Sequence, residues 1–128
     1  MTGIAIMGCG TVGSGAMKML TDNAWAISRS AGRDVKLQYV LDVRPVEVPE
    51  GVTQAASLDE ALACAETRIF VESIGGLGVA YEMTRRALSA GRHVVTSNKE
   101  LVAERGDELN ALAAQHGGTP ASYAAALA

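Results

Sequence analysis

What the chain lacks narrows its class before any motif is read. Cysteine occurs only twice in 128 residues, which is too few for a disulfide framework. Cys9 and Cys64 therefore read as reduced thiols of a cytoplasmic protein. No Cys/His cluster has zinc spacing, and His93 and His116 stand far apart with no carboxylate or cysteine in a ligand pattern, so no metal is expected. Positive charge is not in excess. A net charge of −3 gives no electrostatic case for binding nucleic acid or an anionic membrane. No apolar run approaches the roughly 20 residues of a membrane span. The N-terminus has no basic region and its apolar run breaks at Gly8, so no secretory signal is expected. Aromatic residues make up only 4% of the chain, against fourteen glycines, which points to a turn-rich α/β protein rather than a bundle. With 48% hydrophobic and 20% charged residues, one globular domain with a real core is expected.

What is present is organised around Gly8-Cys9-Gly10-Thr11-Val12-Gly13. This Gly-x-Gly-x-x-Gly stretch follows a short apolar run and precedes a long helical pattern. That context lifts it above an ordinary glycine-rich turn and makes it a candidate dinucleotide site. Gly8 would make the tight turn out of the strand. Gly10 would let the backbone approach a pyrophosphate, and Gly13 would let helix and strand pack closely. The phosphates would then meet free N–H groups at the helix N-terminus. Cys9 in that turn is either a small tolerated residue or, at a helix N-terminus, an oxidisable thiol.

Along the chain, residues 3–7 read as a buried parallel strand. One helix is expected from Thr11 or Val12 to Arg29, stopped by Ser30-Ala31-Gly32. A second strand covers Val35 to Leu41 and ends at Asp42-Val43-Arg44-Pro45. Asp42 would hydrogen-bond the adenosine ribose and favour NAD, whereas Arg44 would accept a 2′-phosphate and permit NADP; the alternative is a solvated turn carrying two charges. A very short strand is expected near Thr53. Ser57-x-x-Glu60 has the form of a capping box opening a helix to about Ala65. A strand from Arg68 to Glu72 breaks at Ser73-Ile74-Gly75-Gly76-Leu77-Gly78, and a helix from Val79 to Ala90 ends at Gly91. His93 to Thr96 is the next strand. Ser97-Asn98-Lys99-Glu100, a second box, opens the last helix, which Gly117-Gly118 ends.

Strands alternating with helices predict a doubly wound parallel sheet of Rossmann type in a single domain, with strand order 3-2-1-4-5. The loops Gly8–Gly13, Ser73–Gly78 and Thr96–Lys99 then share the carboxyl edge of the sheet, where such folds bind ligands. Ser73-Ile74-Gly75-Gly76 has little side-chain bulk, so a flat ring and its ribose would fit against its backbone. Lys99 is the candidate proton acceptor. Oxidising an alcohol by hydride transfer also removes the hydroxyl proton, and a lysine takes it when burial or nearby positive charge lowers its pKa. The adjacent helix N-terminus acts in that direction. The alternative is an exposed lysine on a first helical turn.

Three blocks in order, Ile6 to Gly13, Val71 to Gly76 and His93 to Lys99, followed by Leu101-Val102-Ala103-Glu104-Arg105-Gly106, resemble the N-terminal cofactor domain of homoserine dehydrogenase. The resemblance covers about residues 3 to 117. The Thr-x-Asn-Lys block together with Ile-Gly-Gly is much more specific than the glycine turn. It implies NAD- or NADP-dependent interconversion of L-homoserine and L-aspartate 4-semialdehyde, on the route to threonine, methionine and isoleucine. By that match Gly8, Gly10, Thr11, Val12 and Gly13 hold the dinucleotide. Ile74 and Gly75 border its nicotinamide half, Thr96 and Ser97 lie near it, and Lys99 meets cofactor and substrate and transfers the proton. The family often has an arginine for the 2′-phosphate where Asp42 stands here with Arg44 two residues on, so both cofactors stay open.

In the family the chain continues into a substrate and dimerisation domain with a second lysine and acidic groups, and the complete enzyme is a homo-oligomer. Residues 118–128 read instead as an Ala-rich tail departing from the family pattern. The expectation is a truncated, frame-shifted or isolated cofactor domain, residues 1–117, unable to turn over alone and with one sheet edge uncovered. A non-catalytic dinucleotide-binding regulatory module is the alternative, and it leaves the Thr96–Lys99 block without a purpose.

Overall fold

In β1 (Thr2–Met7) every residue is buried, and its alternation assigns each face of the sheet to different helices. Ile4 and Ile6 pack with Leu37 and Val40 against Ala16, Met17 and Leu20 of the first helix. Ala5 and Met7 point the other way, into a cluster with Phe70, Val94, Leu88, Leu101 and Leu109. Both faces of a central strand must be covered, so a continuous apolar run is the pattern that suits it.

The computed structural model describes residues 1–116 and the backbone of 123–125. After β1 come α1 (Thr11–Asp22), α2 (Ala24–Ala31), β2 (Val35–Leu41) and β3 (Thr53–Gln54). They are followed by α3 (Leu58–Ala63), β4 (Thr67–Glu72), α4 (Gly78–Ser89), β5 (His93–Thr96), α5 (Lys99–Gln115) and β6 (Tyr123–Ala125). All strand pairs are parallel. The order is β3-β2-β1-β4-β5-β6, the expected doubly wound order with one strand added.

That added strand is one of three differences from the sequence reading. Tyr123 to Ala125 pair with Val94 to Thr96, so the sheet extends one strand beyond β5. Three residues in an Ala-rich segment are too few to show a period, which is why the stretch reads as a patternless tail. The expected stop at Gly117-Gly118 lies outside the described residues; α5 itself ends at the C-cap His116.

The second difference is in the first helix, which divides at Asn23 rather than running on to Arg29. Both the Asn23 N–H and its Nδ2 donate to the Met19 carbonyl, at 3.1 and 3.0 Å. The side chain thereby competes for the helix's own acceptor and turns the backbone out of the α region.

The third difference concerns the caps. Ser57 stands at the N-cap of α3 without a side-chain cap bond, while Glu60 Oε1 accepts the Ala56 N–H at 3.1 Å. At α5 the cap is Asn98, one residue later than expected, and its Oδ1 accepts the Leu101 N–H at 3.1 Å.

The two outer glycines of the turn are demanded by geometry. Gly8 has φ +91°, and a Cβ there would lie 2.8 Å from Ile74 Cγ1. A Cβ on Gly13 would lie 2.0 Å from the Gly8 carbonyl oxygen and 2.9 Å from Ser73 Oγ. Gly15, on the same helix, has open space around it. Gly13→Ala should therefore destabilise the fold by about 3 kcal/mol or more. Gly15→Ala should stabilise it by about 0.5–1 kcal/mol through helix propensity. Urea unfolding of the two variants checks this, and a Gly13→Ala protein as stable as the parent would contradict the close approach.

Candidate functional site

The carboxyl edge of the sheet holds a cavity of about 420 Å³. Its floor is the glycine turn, Gly8 to Gly10, and one wall is the end of β2, Asp42 to Arg44. Ala55 to Leu58 close a second side, with Ser73, Ile74, Val79 and Met83 opposite.

At the floor, α1 begins with Gly10 as its N-cap, with no side-chain cap bond and no acidic residue in the first turn. The first amide to close back is that of Ser14, onto the Gly10 carbonyl at 2.8 Å. The amides of Thr11, Val12 and Gly13 precede it and have no intrahelical partner. They carry the positive end of the helix dipole. A Cβ on Gly10 would meet nothing within 4 Å, so this glycine is not needed by the protein's own packing. It leaves open the space a phosphate needs to reach those amides.

Asp42 stands at the wall with its side chain only 8% exposed. Its Oδ2 accepts the Cys9 N–H at 2.9 Å, and its Oδ1 accepts the Arg44 N–H at 3.0 Å. Those two backbone bonds, with Arg44 nearby, hold its carboxyl below the usual carboxylate range. Arg44 is 71% exposed, with Nε 3.5 Å from Asp42 Oδ1. Its backbone is laced by Gln54, whose Nε2 donates to the Arg44 carbonyl at 2.7 Å while Oε1 accepts the Val46 N–H at 2.9 Å. The two charges that point to opposite cofactors are thus partners of each other.

Ser73 locks the loop after β4 to the turn. Its Oγ donates to the Gly8 carbonyl at 2.6 Å, and its N–H donates to the Met7 carbonyl at 2.9 Å. Ile74 lines the cavity, whereas Gly75, Thr96, Ser97 and Lys99 do not. Those four lie on the same edge, beyond the cavity and over the ends of β4 and β5. Thr96 is buried, and Ser97 and Lys99 are exposed.

Sequence reasoning passed over Glu72 and Asn98. Glu72 is 1% exposed, and its Oε2 accepts the N–H groups of Ile74 and Gly75 at 2.8 and 3.0 Å. The Thr96 hydroxyl donates to its other oxygen. Asn98 Nδ2 donates to the Gly76 carbonyl at 2.6 Å. A signal existed: a glutamate ending an apolar strand must find donors, and the loop directly after it supplies backbone amides. Among the described residues no helix is long and apolar enough to cross a membrane.

Comparison with known proteins agrees with this geometry. The sequence model of the family described as "Homoserine dehydrogenase, NAD binding domain" matches residues 8–121. A homoserine dehydrogenase of Neisseria gonorrhoeae is 38% identical over 113 residues, covering 86% of this chain and 26% of the relative. The crystal structure of a homoserine dehydrogenase from Thiobacillus denitrificans superposes with a TM-score of 0.81 at 33% identity, over 98% of this chain and 29% of that one. GenD2 from gentamicin A biosynthesis, solved in complex with NAD, superposes with a TM-score of 0.72 at 25% identity, over 97% of this chain and 34% of that one. The chain thus spans about a quarter of the length of the curated relative it matches. With a Rossmann-type sheet, an open glycine turn at its carboxyl edge and this match along most of its length, the chain belongs to the homoserine dehydrogenase NAD-binding-domain family.

Proposed function

We propose that this chain is the cofactor-binding part of a homoserine dehydrogenase, which interconverts L-homoserine and L-aspartate 4-semialdehyde in the cytoplasm as part of a homo-oligomer. The observation that carries this reading is the uncapped, acid-free N-terminus of α1, opening beside Gly10 into a cavity walled by Asp42. The amides of Thr11, Val12 and Gly13 receive the pyrophosphate, and Asp42 faces the adenosine ribose. A nicotinamide held there would supply the hydride-transfer chemistry.

The proton falls to Lys99. As hydride leaves the alcohol carbon of homoserine, Lys99 Nζ takes the hydroxyl proton, and it returns that proton in the reverse direction. Its exposure in this chain fits a site whose other wall comes from a substrate domain. Turnover needs cofactor and substrate held together, so these 128 residues by themselves bind the dinucleotide without reacting it.

NAD is the preferred cofactor in this reading. The Asp42 carboxylate is fixed in place by two backbone amides, and it repels a 2′-phosphate. Arg44 already faces Asp42.

Isothermal titration tests the reading. NAD should bind about tenfold or more tightly than NADP. Gly10→Ala should keep the fold by circular dichroism and lose about tenfold or more in NAD affinity. Absence of saturation with either dinucleotide at millimolar concentration would overturn the function, whereas tighter binding of NADP would overturn only the preference.

Asp42 has a second consequence, for stability. Its folded pKa lies below the unfolded one, so the carboxylate contributes stability above the unfolded value and loses it as pH falls through the folded one. Asp42→Asn should accordingly destabilise the chain by about 1–3 kcal/mol at pH 7, with the difference shrinking in acid. Urea unfolding at neutral and acidic pH measures it, and a difference independent of pH would contradict the assignment.

A further inference from the structure

One buried carboxylate is left unused by the binding of phosphate and adenosine. Glu72 ends β4 beyond the cavity, 1% exposed, and among the described residues its partners are neutral donors. Its Oε2 takes the amides of Ile74 and Gly75, at 2.8 and 3.0 Å, and its Oε1 takes the Thr96 hydroxyl. Thr96 Oγ1 in turn accepts the Asn98 N–H at 2.9 Å, and Asn98 Nδ2 reaches back to the Gly76 carbonyl at 2.6 Å. The bonds close a ring that runs from Glu72 through Thr96 and Asn98 to Gly76 and returns through Gly75.

For the fold alone this is an expensive choice. A buried charge without a counter-charge is costly, and apolar residues of similar volume often hold a core as well. What a carboxylate adds is direction. It only accepts, on two oxygens, so it draws both loop amides inward and fixes the Thr96 hydroxyl as donor towards it. The lone pairs of Thr96 are then left for Asn98. Lys99 follows Asn98 directly and starts α5. The loop after β4 and the corner after β5 are thereby held in one mutual arrangement.

A dinucleotide with its adenosine ribose at Asp42 and its phosphates at Gly10 runs on across β1 towards β4 and β5. We propose that Glu72 is a positioning residue for the nicotinamide half of the cofactor site. Through Thr96 and Asn98 its carboxylate holds the Ile74–Gly76 loop against the start of α5, and the adenosine half is left to the glycine turn and Asp42. This rests on the dinucleotide reading above and adds a division of labour along the ligand.

The test compares two probes on the 128-residue chain. ADP-ribose carries the adenosine and phosphates without the nicotinamide, and NADH carries both and reports through its nicotinamide fluorescence. Glu72→Gln should leave the ADP-ribose Kd within about twofold, raise the NADH Kd about tenfold and reduce the emission change on binding. Thr96→Val breaks the same ring with Glu72 intact. It should act in the same direction, which keeps the proposal falsifiable where Glu72→Gln does not fold. Equal losses for both probes would show a general structural role and overturn the proposal, as would no loss for either. A parent chain that binds neither probe would instead sink the dinucleotide reading, and the role of Glu72 with it.

Discussion

The contact on which the carboxyl edge depends is the approach of α1 to the end of β1, where Gly13 lies against the Gly8 carbonyl with no room for a Cβ. That carbonyl is also the acceptor for Ser73 Oγ. Helix, turn and the loop after β4 therefore meet at a single peptide group. Because α1 sits this close, its N-cap Gly10 lies in the floor of the cavity, and the first amides of the helix follow directly behind it. Because Ser73 is tied to the same point, the wall carrying Ile74 has a fixed height above them. A side chain at Gly13 would push the helix away and spoil both at once.

The backbone amides of this edge fall into two groups. Those that the protein's own carboxylates can reach are taken. Asp42 accepts from Cys9 and Arg44, and Glu72 accepts from Ile74 and Gly75. The amides at the start of α1 are left to a ligand, with no acidic residue in that turn to compete for them. Two fixed carboxylates and one uncapped helix end thus divide a row of donors into structural and vacant ones. On the proposed reading, an anion is favoured at one point of the edge and disfavoured at the neighbouring wall, as a dinucleotide without a 2′-phosphate would need.

Much of this was legible in the sequence. The order of strands and helices followed from apolar runs punctuated by glycine, and the central position of β1 followed from a run with no polar residue among Ile4 to Met7. The glycine turn and Asp42 announced themselves through their place after strands. Other features rested on contacts that no local pattern reveals. The break at Asn23 depends on a side chain competing for the Met19 carbonyl, and Asn elsewhere in a helix does not always do so. The three residues of β6 pair because β5 offers a free edge. The bonds of Glu72 and Asn98 arise where strands distant in sequence end side by side, so the part each plays there could not be read from its own segment. Lys99 was legible as a candidate only through its neighbours, and its exposure here makes its partner surface part of the question.

The central claim is that one NAD molecule lies along this edge, phosphates on the start of α1 and nicotinamide towards β5. Amide-resolved NMR of the ¹⁵N-labelled chain titrated with NAD tests it most directly. Saturable shifts are expected at Gly10 to Gly13, at Val43 and Arg44, and from Ser73 to Gly75, extending to Ser97 and Lys99. Thr2, Thr67 and Arg92, at the opposite edge, should stay still. Shifts centred on that opposite edge, or none at Gly10 to Gly13 while NAD binds, would contradict it.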